Sequence, residues 1–217
     1  MIYRFMWFTI GLLIKLYWWV RASDRRNVPA HGGAILASNH VAAIDPVLVC
    51  MCFWRQVCWL AKVELVKTKR VAWFFRGAGV IPVDREAPQE ESIEAAARAL
   101  KEGKLFGIFP EGTRSPDGRV YRGYTGVARV AQRSGAPVIP TAVFGSRGAH
   151  NKGSRLARPT ACTVRFGAPM LFAIRDGEDE PAAYRRFTDE VLDAVAALAG
   201  AERVPDRYSR PPRRPAS

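Results

Sequence analysis

At 217 residues the chain is long enough for one domain with a substantial core. A formal charge of +13 accompanies 48% hydrophobic and only 24% charged residues, which excludes a disordered tail protein, a collagen-like chain and a disulfide scaffold. Four cysteines with no pairing pattern suit a reducing compartment, and the basic surplus leaves nucleic acid, membrane lipid or a phosphorylated substrate as the anionic partner.

The first segment, residues 1–28, opens with seven aromatics in 21 residues. Its longest uncharged run, Phe5 to Ile14, is ten residues, half of the roughly 20 that a spanning helix needs. On a helix Arg4, Gly11 and Lys15 share one narrow stripe, and the surroundings are apolar, with Trp7, Trp18 and Trp19 of the type that settles at headgroup depth. The segment therefore reads as an interfacial membrane-associating helix. Two other readings compete. Val20-Arg21-Ala22 loosely fits a signal-peptide cleavage site, although Lys15 interrupts the apolar stretch, and the helix would also serve as one packed on the core.

From residue 29 to 202, short apolar runs alternate with helical periodicity, the pattern of a single α/β domain. The strands fall at 34–38, 57–61, 79–83, 105–109, 137–143 and 161–166, and the expected architecture is a mixed, mostly parallel sheet flanked by helices. Ile93, Ala96, Ala97 and Leu100 recur at helical spacing, with Glu90 and Glu91 in the first turn and Lys101 and Lys104 at the end, as the macrodipole favours. Tyr184, Phe187, Val191, Val195 and Leu198 form a second stripe just after Pro181. Residues 203–217, with four prolines and five arginines, read as a disordered basic tail. The charge is thus concentrated at the ends, +4 in residues 1–30 and +4 in residues 203–217. Nucleic acid is disfavoured, because no recognition motif accompanies that charge.

Two loops carry chemistry. His40 and Asp45, between an apolar strand and an apolar helix, can meet if the chain turns between them. Asp45 would then fix the imidazole tautomer and leave the other nitrogen to take a substrate proton. Asp45 before Pro46 also fits an ordinary helix N-cap. The second loop, Phe109-Pro110-Glu111-Gly112-Thr113-Arg114-Ser115, follows a strand. Gly112 permits a tight turn there, and Thr113, Arg114 and Ser115 offer donors to phosphate oxygens; a local Glu111–Arg114 pair is the plainer reading. Arg85, just beyond the strand at 79–83, would be a second phosphate-clamping arginine. No Gly-x-Ser-x-Gly elbow, dinucleotide fingerprint or metal-ligand spacing is present, so no metal is expected.

The chain resembles the lysophosphatidic acid acyltransferases, the 1-acyl-glycerol-3-phosphate O-acyltransferases of phospholipid synthesis. Asn39-His40 through Asp45 looks like that family's first motif, Ala61-Lys62-Val63-Glu64-Leu65 and Gly77 to Arg85 like its second region. Phe109 to Ser115 matches its Pro-Glu-Gly-Thr-Arg-Ser motif, and Val138-Ile139-Pro140 looks like its fourth. The matches run in family order from about residue 30 to 145. One departure is Ala42, where the family commonly has serine.

The resemblance implies transfer of a fatty acyl group from acyl-CoA or acyl carrier protein to the free hydroxyl of lysophosphatidic acid, giving phosphatidic acid, with no cofactor; the same chemistry on glycerol 3-phosphate, another lysophospholipid or a lyso-aminolipid, and a non-catalytic lipid-binding protein on this fold, are the alternatives. It implies His40 and Asp45 as the general-base pair, with direct attack on the thioester and no acyl-enzyme. Arg85, Glu111, Gly112, Thr113 and Arg114 would bind the acceptor phosphate, with Glu111 orienting Arg114 or its loop. Lys62, or amides at the start of the helix after Asp45, would serve the oxyanion. The expected partners are the thioester donor, the lysophospholipid acceptor and an anionic membrane surface. The expected place is the cytoplasmic face of the cell membrane, peripheral or monotopic.

Overall fold

The computed structural model describes residues 3, 5, 7–62, 77, 79–83, 89–148 and 158–208. Six strands form within two residues of their expected positions: β2 Ala34–Ser38, β3 Val57–Lys62, β4 Val80–Val83, β5 Leu105–Ile108, β6 Val138–Phe144 and β7 Thr163–Phe166. A short strand not foreseen from the sequence, β1 Arg21–Ser23, makes a seventh. The sheet order is β1-β7-β6-β2-β5-β3-β4. Strands β6, β2, β5, β3 and β4 are mutually parallel, β7 is antiparallel to β6, and β1 runs parallel to β7.

Every residue of β2 is buried, which is why this strand reads as an unbroken apolar run rather than an alternating one. Its side chains serve two cores. Ile35 and Ala37 pack with Phe106 and Val138 under α3 Gln89–Lys101, α4 Gly126–Ser134 and α5 Glu180–Ala199. Ala34 and Leu36 pack with Leu105 and Ile139 on the other face, against α2 Asp45–Cys50 and the N-terminal segment. Helix α5 starts where Asp179 accepts the Ala182 amide at 2.8 Å with proline in the first turn, and it stops at Gly200 in the left-handed region.

The N-terminal segment is a π-helical turn, Trp7–Gly11, continued by α1 Leu12–Tyr17. The described part of the Arg4, Gly11 and Lys15 stripe faces the domain: Gly11 is buried, and Lys15 Nζ lies 5.7 Å from the centroid of the nearly buried Trp7 ring. Trp7 in turn packs against Trp54, with ring centroids 3.9 Å apart and planes tilted by 31°. Arg4 is outside the described residues. The opposite face leaves Phe8, Leu12, Leu13, Leu16 and Tyr17 open to solvent. Among the described residues no helix is long and apolar enough to cross a membrane.

The stretch expected to begin a disordered tail is docked through residue 208. Arg203 pairs with Asp189 at 2.9 Å and Asp193 at 3.0 Å, both on α5. Residues 209–217 lie outside the described residues.

Candidate active site

Because β2, β3, β4, β5 and β6 run parallel, their C-terminal ends share one edge of the sheet, the edge where α/β folds present their functional loops. The loops after β2 and β5 meet there: the Ser115 amide donates to the His40 carbonyl at 2.7 Å. The loop after β2 is also tied to β6, since Asn39 Oδ1 accepts the Val143 amide at 2.8 Å and its Nδ2 donates to the Val143 carbonyl at 3.3 Å.

His40 Nδ1 and Asp45 Oδ2 are 2.9 Å apart. Asp45 is fully buried, and the same Oδ2 accepts the Val41 amide at 2.7 Å and the Ala42 amide at 2.8 Å. The carboxylate therefore turns back onto its own loop and makes no cap bond to α2, so the N-cap alternative does not describe it. Three donors on one oxygen hold the carboxylate in a single pose, which holds the imidazole. The ring is fixed from its face as well: Phe109 stacks on it at 3.9 Å and 14°, and Trp59 stacks on Phe109 at 4.7 Å. A Cβ at Gly107 would meet the Trp59 ring at 2.3 Å, so glycine there leaves room for this aromatic column. Among the described residues Nε2 of His40 has no partner. The pair thus presents one positioned imidazole nitrogen that can accept a proton.

The second loop turns at Pro110-Glu111-Gly112, where the Gly112 amide donates to the Phe109 carbonyl at 3.0 Å. Gly112 has φ +69°, and a Cβ would come within 2.9 Å of the Tyr124 ring, so both backbone and space call for glycine. Arg114 is exposed and has no ion pair among the described residues. Thr113 is half-buried beside it. Glu111 does not pair with Arg114. It is only 5% exposed, and neither carboxylate oxygen has a hydrogen-bond partner among the described residues. Burial pushes its carboxyl up to about 8, with the Arg203 charge opposing and Asp117 adding to the rise. The amides at the start of α2 proposed for the oxyanion are already committed, Asp45 to Ala42, and Val47 and Leu48 to Ile44. Lys62 ends β3 at the site edge; its side chain, and the whole of Arg85, lie outside the described residues.

A family profile described as "Acyltransferase" matches residues 20–144, which span both loops and all the strands that position them. The chain belongs to the acyltransferase family. Among curated relatives, a 1-acyl-sn-glycerol-3-phosphate acyltransferase of Bacillus subtilis is 29% identical over 77% of this chain and 82% of its own length. One from Limnanthes alba is 34% identical over 63% of this chain and 50% of its own length, so the chain spans about half of that plant relative. The crystal structure of the 1-acyl-sn-glycerophosphate acyltransferase PlsC from Thermotoga maritima superposes with a TM-score of 0.66 at 27% identity, covering 82% of this chain and 71% of that one. With these relatives the chain is an acyltransferase of the 1-acyl-glycerol-3-phosphate type.

The acyltransferase site holds features that reading the sequence did not assign. Phe109 and Trp59 hold the imidazole plane, and Asn39 bridges β2 to β6. Phe109 and Asn39 stand inside the quoted motifs, so a signal was present. Trp59 carried none, because its role arises from the neighbouring register of β3 and β5, in which it stands opposite Gly107.

Proposed function

We propose that this acyltransferase moves a fatty acyl group from an acyl thioester to the free hydroxyl of lysophosphatidic acid. The observation that carries the reading is the buried Asp45 carboxylate at 2.9 Å from His40 Nδ1, with Nε2 unpartnered among the described residues. In this reading Nε2 removes the acceptor hydroxyl proton while Asp45 stabilises the imidazolium that forms. The acceptor oxygen attacks the thioester carbonyl directly. Collapse of the tetrahedral intermediate breaks the C–S bond, and the imidazolium returns its proton to the departing sulfur.

Arg114, exposed and free of an ion pair among the described residues, supplies charge for the acceptor phosphate from the same edge. Thiol release should be followed with acyl-CoA and acyl carrier protein donors, and with lysophosphatidic acid, glycerol 3-phosphate and monoacylglycerol acceptors. Arg114→Ala should raise KM for lysophosphatidic acid about 10- to 100-fold, the usual cost of a lost charged hydrogen bond. Equal loss with monoacylglycerol would remove the phosphate role.

The apolar face of α1 supports a membrane surface as the working place. Phe8, Leu13 and Leu16 are each 60% exposed or more, and at the opposite end of the sheet from His40, Arg25 and Arg26 line a groove with Phe53 and Trp54. Large open aromatics beside cations suit an anionic lipid interface. Phe8→Glu with Leu13→Glu should release the protein from anionic vesicles with unchanged far-ultraviolet dichroism. Retained vesicle binding by that variant would refute the docking face.

A further inference from the structure

The family match stops at residue 144, yet the loop that carries Arg114 is held from a segment far beyond it. The chain after α5 runs alongside residues 120–124 in a short ladder. The Val120 amide donates to the Glu202 carbonyl at 2.9 Å, the Val204 amide to the Val120 carbonyl at 2.8 Å, and the Arg122 amide to the Asp206 carbonyl at 3.1 Å. Arg203 anchors that segment to Asp189 and Asp193 of α5 and donates to the Val204 carbonyl at 2.7 Å. From the other side, Arg185 donates to the Gly123 carbonyl at 2.8 Å while gripping Asp189 with both forks. Residues 120–124 are therefore clamped between two arginines that share one carboxylate.

Tyr124 is where this clamp reaches the site. Its amide donates to the Pro110 carbonyl at 2.8 Å, and its ring fills the space that a side chain at position 112 would need. On that same ring sits the Arg207 guanidinium, 4.2 Å from the centroid. Arg207 is exposed and, like Arg114, has no ion pair among the described residues. An unpaired arginine immobilised by stacking on an aromatic face keeps its planar fork of donors free for an anion.

We propose that Arg207 is a further acceptor-binding residue: held on Tyr124 beside the Gly112 turn, it contacts the phosphate of the acceptor together with Arg114. The proposal rests on the phosphate-acceptor reading above. It gives the basic segment after residue 202 a role at the site, distinct from attraction to a bilayer.

The test uses the full chain and a water-soluble, short-chain lysophosphatidic acid, which removes the bilayer from the measurement, with the matching short-chain monoacylglycerol as the phosphate-free acceptor. Wild-type turnover of the phosphate acceptor establishes the underlying reading, and its absence would overturn that reading and the proposal with it. Given turnover, Arg207→Gln is expected to raise KM for the phosphate acceptor about tenfold, with kcat within about twofold and unchanged kinetics on the monoacylglycerol. Arg207→Lys, which keeps the charge without the fork, should recover part of the loss. Tyr124→Phe should match the wild type, while Tyr124→Ala should reproduce Arg207→Gln. Arg98→Gln, an exposed arginine on α3, is the control for net charge and should change nothing. An unchanged KM in Arg207→Gln, or an equal rise with both acceptors, would overturn the assignment and reduce the segment to a structural clamp.

Discussion

His40→Ala should lower kcat by about 10²- to 10⁴-fold, the range a positioned general base supplies, while leaving donor KM and the unfolding temperature close to wild type. The expectation follows from how little else the side chain does. Its ring is held by a stack on Phe109 and one bond to Asp45, and the rest of the loop is pinned through the backbone by Ser115 and through Asn39 by β6. Asp45→Asn should behave differently. Oδ2 collects the Val41 and Ala42 amides as well as the imidazole, so an amide there loses the charge and sets N–H against N–H unless it flips. A comparable fall in kcat should therefore come with a lower unfolding temperature. Direct attack adds a second readout: protein quenched after exposure to the thioester alone should carry no acyl group by mass spectrometry. Undiminished turnover in folded His40→Ala would sink the base, and an acylated protein would sink the direct route.

What could be read in advance divides along a physical line. The central parallel strands β2 and β6 are buried on both faces and announce themselves as short apolar runs, and β7 alternates apolar with polar residues, whereas three residues at 21–23 leave no period to detect. Helix α4 carries a signal of its own in the sequence: Val127, Ala128, Val130 and Ala131 follow helical spacing up to Gly135 in the left-handed region. The pairing of His40 with Asp45 could be anticipated because it closes within five residues. The burial of Glu111 and the partners of Arg203 could not. A turn containing Glu and Arg suggests a local pair, but here the two side chains part, one into the protein and one to solvent. Likewise a Pro- and Arg-rich stretch reads as solvated until α5 supplies Asp189 and Asp193 at the right height. Composition reports what a segment resembles alone, and these contacts are made across ten and fourteen residues of chain.

Glu111 gives the second large expectation, in stability as a function of pH. Its carboxyl is raised by burial from an ordinary value of 4.5 to about 8 in the folded protein. A raised folded value means that the folded state holds the proton more tightly than the unfolded chain. The associated stability is therefore complete below about 4.5, declines as pH rises toward 8, and is gone above it. The full swing is on the order of 5 kcal/mol, large against the roughly 5–15 kcal/mol by which a domain is folded. Glu111→Gln retains shape and removes the titration. Its unfolding temperature should lie near the wild type at pH 5 and well above it at pH 9, measured by thermal denaturation across that range. Parallel pH profiles for the two proteins would mean that Glu111 ionises freely. The direction also bears on the proposed acceptor site: a Glu111 that holds its proton near neutral pH would leave Arg114 without a buried negative charge opposing an anion.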